Sequence, residues 1–145
     1  FIRFVADALN PADAAIVLVT ESHRTALLQG LRTRGVDIDG AMERGTCVSF
    51  DADVAPGSAR FLEAVNGVRQ AAANAGNAHP RIAFCGERAG RLWAEGRTAE
   101  AAQLEQLCSE LAQDVDILCL YPVPYTKDNR TLTRICAEHT AVSAG

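Results

Sequence analysis

The chain has 145 residues, 48% of them hydrophobic, and fourteen basic against eighteen acidic side chains give a formal charge of −4. That length supports one hydrophobic core of ordinary domain size, and the acidic balance removes the electrostatic basis for gripping a nucleic-acid backbone. The longest apolar runs, such as Ala14 to Val19 and Ile117 to Leu120, fall far short of the roughly 20 residues that cross a bilayer.

The chain opens at Phe1, without a methionine and inside what reads as a helix. It is therefore expected to be a piece of something longer, and no signal peptide can be judged from such a start. Ala14 to Thr20 is a continuous apolar run rich in β-branched residues and predicts a strand. Glu21 to Arg34 follows with helical spacing at Ala26, Leu27 and Leu31, and Gly35 ends it as a C-terminal glycine would. Gly40 to Gly45 reads as a loop. Thr46 to Asp51 predicts a second strand, and after a Pro-Gly turn Ser58 to Ala75 predicts an amphipathic helix with Phe61, Leu62, Val65 and Val68 on one face. Pro80 to Gly86 gives a third strand. Arg88 to Gln113 gives helix broken near Gly96, with Ala101, Leu104, Leu107, Cys108 and Leu111 inward, and Asp116 to Tyr121 gives a fourth strand. Pro122 and Pro124 stop that strand, because proline cannot donate to a sheet ladder, and Leu132 to Val142 predicts a last helix.

Strands apolar at every residue, alternating with helices, predict an α/β fold: a three-layer, mostly parallel sheet covered by helices on both faces. Residues 1–145 show no internal repeat and no Gly/Ser linker, so one domain is expected. Cys47, Cys85, Cys108, Cys119 and Cys136 stand at long intervals with no CxxC pair. This implies neither a disulfide framework nor a zinc knuckle; reduced thiols acting as small core residues point to the cytoplasm. A thiolate site between the ends of the third and fourth strands, at Cys85 and Cys119, is a weaker alternative, as is a soft-metal pair at Cys136 and His139.

In parallel α/β sheets ligands bind beyond the carboxyl ends of the strands. The residues there are Thr20, Glu21, Ser22 and His23 after the first strand and Asp51 and Asp53 after the second. Gly86, Glu87 and Arg88 follow the third, Tyr121 and Tyr125 the fourth. Thr20 to His23 also fits ordinary helix capping, and Glu87 fits a carboxylate at a helix N-terminus. The first strand lacks the glycine and lysine of a phosphate-binding GxxxxGK[ST] loop, and no GxGxxG follows any strand. His23, His79 and His139 are far apart, with no HExxH motif and no GxSxG elbow at Ser22. No catalytic residue, metal site or cofactor is therefore assigned.

The order Ile16 to Thr20, His23, Leu27, Leu31, Gly35-Val-Asp37, Gly45, Asp51 and Arg60-Phe61 resembles the MEDS sensory domain. So does the second half: Arg81 to Glu87, Leu92-Trp93, Gly96, Ala101 to Glu105, Leu107, Leu118 to Pro122 and Cys136-Ala-Glu-His139. The resemblance covers essentially the whole chain, and it implies a further first strand upstream of Phe1. It implies a fold like that of RecA and KaiC ATPases without the phosphate-binding loop. It also implies a sensory role in bacterial and archaeal regulators joined to histidine kinase, response or DNA-binding modules, with small hydrocarbon-derived compounds as the sensed class.

On this reading the protein is a non-catalytic, ligand-sensing input domain. A small organic molecule meets Thr20, His23, Asp51, Glu87, Arg88 and Tyr121, and the signal passes to an output module such as a histidine kinase or DNA-binding regulator. A homodimer is compatible with it; direct contact with nucleic acid or membrane is not expected. Two alternatives remain open: a degenerate RecA-like nucleotide-binding ATPase whose loop lay upstream of Phe1, and a protein-interaction regulator with no ligand. Trp93 reads as packing and His139 as surface.

Overall fold

The computed structural model describes residues 1–9, 12–54, 57–111 and 115–121. The proline stop at Pro122 and Pro124, Tyr125, the expected last helix with Cys136 and His139, and the far end of the helix expected to reach Gln113 lie outside them. In chain order the elements are α1 (Ile2–Leu9), β1 (Ala14–Val19), α2 (Glu21–Thr33), α3 (Ile38–Arg44) and β2 (Cys47–Asp51). A 3₁₀ turn (Ala52–Val54) leads to α4 (Ser58–Asn74), β3 (Ile82–Gly86), α5 (Arg88–Ala94), α6 (Thr98–Leu111) and β4 (Asp116–Cys119).

The four strands are all parallel, in the order β2-β1-β3-β4. The two central strands, β1 and β3, are buried at every residue, which is why their sequences are uninterrupted apolar runs. The edge strands β2 and β4 are only partly covered. Alternation along β1 divides the core in two. Ala15, Val17 and Val19 pack with Val5, Leu27, Leu31 and Ile38 of α1, α2 and α3. Ala14, Ile16 and Leu18 pack with Phe61, Val65 and Val68 of α4 and Cys108 of α6. There Phe61 meets Phe84 edge to face at 5.0 Å, a geometry that the ring quadrupoles favour. The result is the expected three-layer α/β fold, with helices on both faces.

Helix ends follow the expected glycine chemistry. Gly35, at φ +77°, lets its N–H donate to the Arg32 carbonyl while the Val36 N–H donates to Leu31, so two otherwise orphaned carbonyls are satisfied. Gly96 does the same at φ +76°, and this is the break expected there between α5 and α6. Two details differ from the sequence reading. The segment Gly40 to Gly45, read as a loop, belongs to α3: the Asp37 carboxylate accepts the Gly40 N–H at 3.0 Å, Gly45 closes the helix in the left-handed conformation, and Ile38 and Ala41 are buried. Seven residues are too few to display a helical repeat, and an internal glycine lowers helix propensity further. Ala26, counted in the helical spacing of α2, and Leu62, placed on the apolar face of α4, are exposed; Leu62 retains 44% of its surface. The buried stripes are the narrower sets Leu27 and Leu31, and Phe61, Val65, Val68 and Ala72.

Candidate functional site

The sheet order decides which strand ends meet. From β1 the chain steps outward to β2, then crosses to the opposite side of β1 to lay down β3, so the order reverses between β1 and β3. Such a switch point leaves a crevice at the carboxyl ends of the two strands, where the connections diverge. Thr20, Ser22 and His23 stand at the end of β1, and Glu87 stands at the end of β3 with its N–H donating to the Leu18 carbonyl at 3.0 Å. The Glu87 carboxylate accepts the Thr20 N–H at 2.5 Å through one oxygen and is hydrogen-bonded by His23 Nδ1 through the other. Its side chain is 6% exposed, whereas that of His23 is 59% exposed. A buried carboxylate thus orients an imidazole at the protein surface, across 64 residues of sequence.

Neither residue is an ordinary cap. Thr20 and Glu87 occupy the N-cap positions of α2 and α5, yet neither side chain makes a capping hydrogen bond. The Thr20 hydroxyl lies 3.3 Å from that of Ser22, and the Glu87 carboxylate is spent on the neighbouring strand. Burial pushes the Glu87 carboxyl up, but the hydrogen bonds from His23 and Thr20 outweigh it and hold the group below its ordinary value. The carboxylate is therefore the stable form, so the His23 nitrogen facing it is the donor.

A depressed carboxyl stabilises the fold above its unfolded-state value of about 4.3 and loses that contribution as pH falls through the lower folded value. Glu87→Gln is expected to cost about 1–3 kcal/mol at pH 7 and to flatten the acid side of the stability profile. Urea unfolding between pH 7 and pH 3 measures both; parallel profiles for the two proteins would show that the carboxylate contributes no linkage.

The other rim residues divide differently from the expected grouping. Asp51 is exposed at the end of β2 and accepts the Asp53 N–H at 2.8 Å, so it caps its own turn. Asp53 pairs with Arg91 of α5 at 2.6 Å, a link between the β2 and β3 ends that strand-end reading missed because Arg91 lies a turn inside the helix. Arg88 is the half-buried first residue of α5. Tyr121, expected beside Glu87, donates its hydroxyl to Glu105 of α6. Burial, reinforced by that carboxylate, pushes the phenol far above its ordinary range. The helical position of Glu105 beside the inward Leu104 was the available signal for this pair.

Burial pushes the Cys47 and Cys85 thiols up to about 12, as befits core residues. Trp93 is half-buried on α5. A cavity of about 320 Å³ lies at the opposite, amino-terminal end of the sheet, lined by Asp13, Val36, Asp37, Arg44 and Thr46 among others. The Asp13 carboxylate there accepts the Asn77 side-chain amide at 2.8 Å and the Arg81 N–H at 3.0 Å. Among the described residues no cluster of three or more His, Cys, Asp or Glu could hold a metal ion, and no helix is long and apolar enough to cross a membrane.

No curated protein and no solved structure matches the chain. The family model of the methanogen/methylotroph DcmR sensory domain, MEDS, matches residues 1–140. With the parallel α/β sheet and nearly the whole length covered, the chain belongs to the MEDS family of sensory domains.

Proposed function

We propose that this sensory domain binds a small organic molecule at the β1/β3 switch point and relays its presence to an output module such as a histidine kinase or DNA-binding regulator, without catalysing a reaction. The observation that carries the reading is the pairing of exposed His23 with buried Glu87. A carboxylate that fixes Nδ1 leaves Nε2 as the ring nitrogen available to a ligand, and a fixed ring loses little freedom on binding. Thr20 and Ser22 add hydroxyls beside it. Arg88 and Tyr121 flank the site on the β3 and β4 sides, and a ligand reaching them would bear on α5 and α6. An effector acts only through a difference in affinity between two arrangements of such elements. The composition and thiol usage support a cytoplasmic setting, and the family supports a bacterial or archaeal regulator as the host.

The test is a thermal-shift screen against aldehydes, halogenated and methylated one-carbon compounds and nucleotides, each at up to millimolar concentration. A ligand at a hundred times its Kd adds about 2.7 kcal/mol, a rise of several degrees in a domain of this size. The shift is expected with a small organic compound and should vanish in His23→Ala. A shift with ATP and magnesium instead would favour a degenerate nucleotide-binding domain, and silence throughout would favour a protein-interaction regulator. The cavity at the amino end of the sheet supports a second reading in which the ligand sits against Asp13 and Arg44. In that case the shift survives His23→Ala and is lost in Arg44→Ala.

A further inference from the structure

A second chemistry lies on the α4/α6 side of the sheet, away from His23 and Glu87. Strand alternation along β4 sends Leu118 and Leu120 to the core shared with α1 and α2, and sends Ile117 to the core shared with α6. Cys119 and Tyr121 therefore face α6. On α6, Glu105 and Cys108 are three residues apart and share one face. The two sets meet in register: Tyr121 donates to Glu105, so two residues back along the strand and three residues on along the helix Cys119 and Cys108 are brought opposite one another. Cys108 is buried and Cys119 half-buried. For Cys47 and Cys85, by contrast, burial is the main cause of the shift. The hydrogen bond from Cys119 lowers the Cys108 thiol against its burial, while Cys119 itself is held protonated. A thiol that ionises beside a second, protonated thiol has the makings of an attacking and a resolving pair.

We propose that Cys108 and Cys119 form a dithiol that hydrogen peroxide converts to an intrachain disulfide, joining α6 covalently to β4. The Cys108 thiolate attacks one peroxide oxygen; the O–O bond breaks, the departing hydroxide takes up a proton, and Cys108 becomes a sulfenic acid. Cys119 then attacks that sulfur, the S–O bond breaks, and the hydroxyl leaves as water with the Cys119 proton. The two sulfurs together lose two electrons, and one peroxide is reduced to two waters. The linkage lies next to the Glu105–Tyr121 bond and near the close approach of α5 Gly90 to Leu120. Oxidation therefore fixes the junction of α5, α6 and β4. It is an input distinct from the His23–Glu87 pair and does not rest on that assignment.

Trypsin makes the test direct, because no Lys or Arg lies between Arg97 and Lys127, so one peptide, Thr98 to Lys127, carries both thiols. The full chain is reduced, freed of reductant, treated with hydrogen peroxide, alkylated with iodoacetamide and digested without reducing agent. That peptide is expected to lose two hydrogens and take up no alkyl group, while Cys47 and Cys85 remain alkylatable once unfolded. The closed loop of about a dozen residues should raise Tm by about 5–10 °C. In Cys119→Ala the peptide should carry a sulfenic acid that dimedone traps at Cys108. Double alkylation of the peptide after peroxide, or a cross-link of either thiol to Cys136, overturns the proposal.

Discussion

Adding one methyl group at Gly90 is expected to destabilise the domain by about 3 kcal/mol, the upper part of the usual overpacking range. A Cβ at this position would stand 2.2 Å from the Leu120 carbonyl oxygen and 2.7 Å from the Tyr121 Cα. Both are backbone atoms and cannot swing aside as a flexible side chain could. Relief requires α5 to move off the end of β4, which in turn disturbs Glu87 at the first turn of α5 and Tyr121 beside α6. Gly67 provides the control. It lies within α4, and a Cβ there meets nothing within 4 Å, so Gly67→Ala is expected to stabilise by about 0.5–1 kcal/mol through helix propensity and a less free unfolded chain. Urea unfolding of the two variants should displace the midpoint in opposite directions; equal effects would mean that α5 does not sit this close to β4.

Ile16→Ala is expected to cost about 2–5 kcal/mol and to lower Tm by about 10 °C. Ile16 is fully buried at the middle of the central strand, between Val48 of β2 and Phe84 of β3 in the sheet, in the core with Phe61, Val65 and Val68. Neighbours on a rigid sheet cannot collapse into the vacated space, so the loss includes a cavity term as well as the transfer of the missing methylenes. Ile16→Val removes one methyl and should cost about 0.5–1.5 kcal/mol. Leu62→Ala, on the exposed side of α4, should change stability by no more than about 0.5 kcal/mol. Calorimetry on the three ranks them; a Leu62 effect as large as that of Ile16 would contradict the burial pattern of α4.

Much of this architecture was legible in the chain itself. The uninterrupted runs Ala14 to Val19 and Ile82 to Gly86 read as buried parallel strands because nothing else needs apolar side chains on both faces of so short a segment. Gly35 and Gly96 marked helix ends because each stands where backbone must turn left-handed. The rim residues were legible too, since the end of a strand is a local property. The ordered residues from Ile16 to His139 were enough to identify the family that the match over residues 1–140 establishes.

Tertiary structure alone decided which rim residues are partners. Sequence order sets Glu87 beside Arg88 and suggests Tyr121 as its neighbour, but periodicity says only that a strand exists and which way its side chains alternate. The order of strands is set by the summed packing of every helix on both faces. Because β3 lies against β1 rather than against β2, Glu87 reaches Thr20 and His23, while Tyr121, one strand further out, turns to Glu105 on α6. The same placement sets β4, with Cys119, beside the Glu105 and Cys108 face of α6. Local chemistry thus fixed the elements and the kinds of side chain at their ends, and long-range packing, which no short window of sequence encodes, fixed which of those side chains meet.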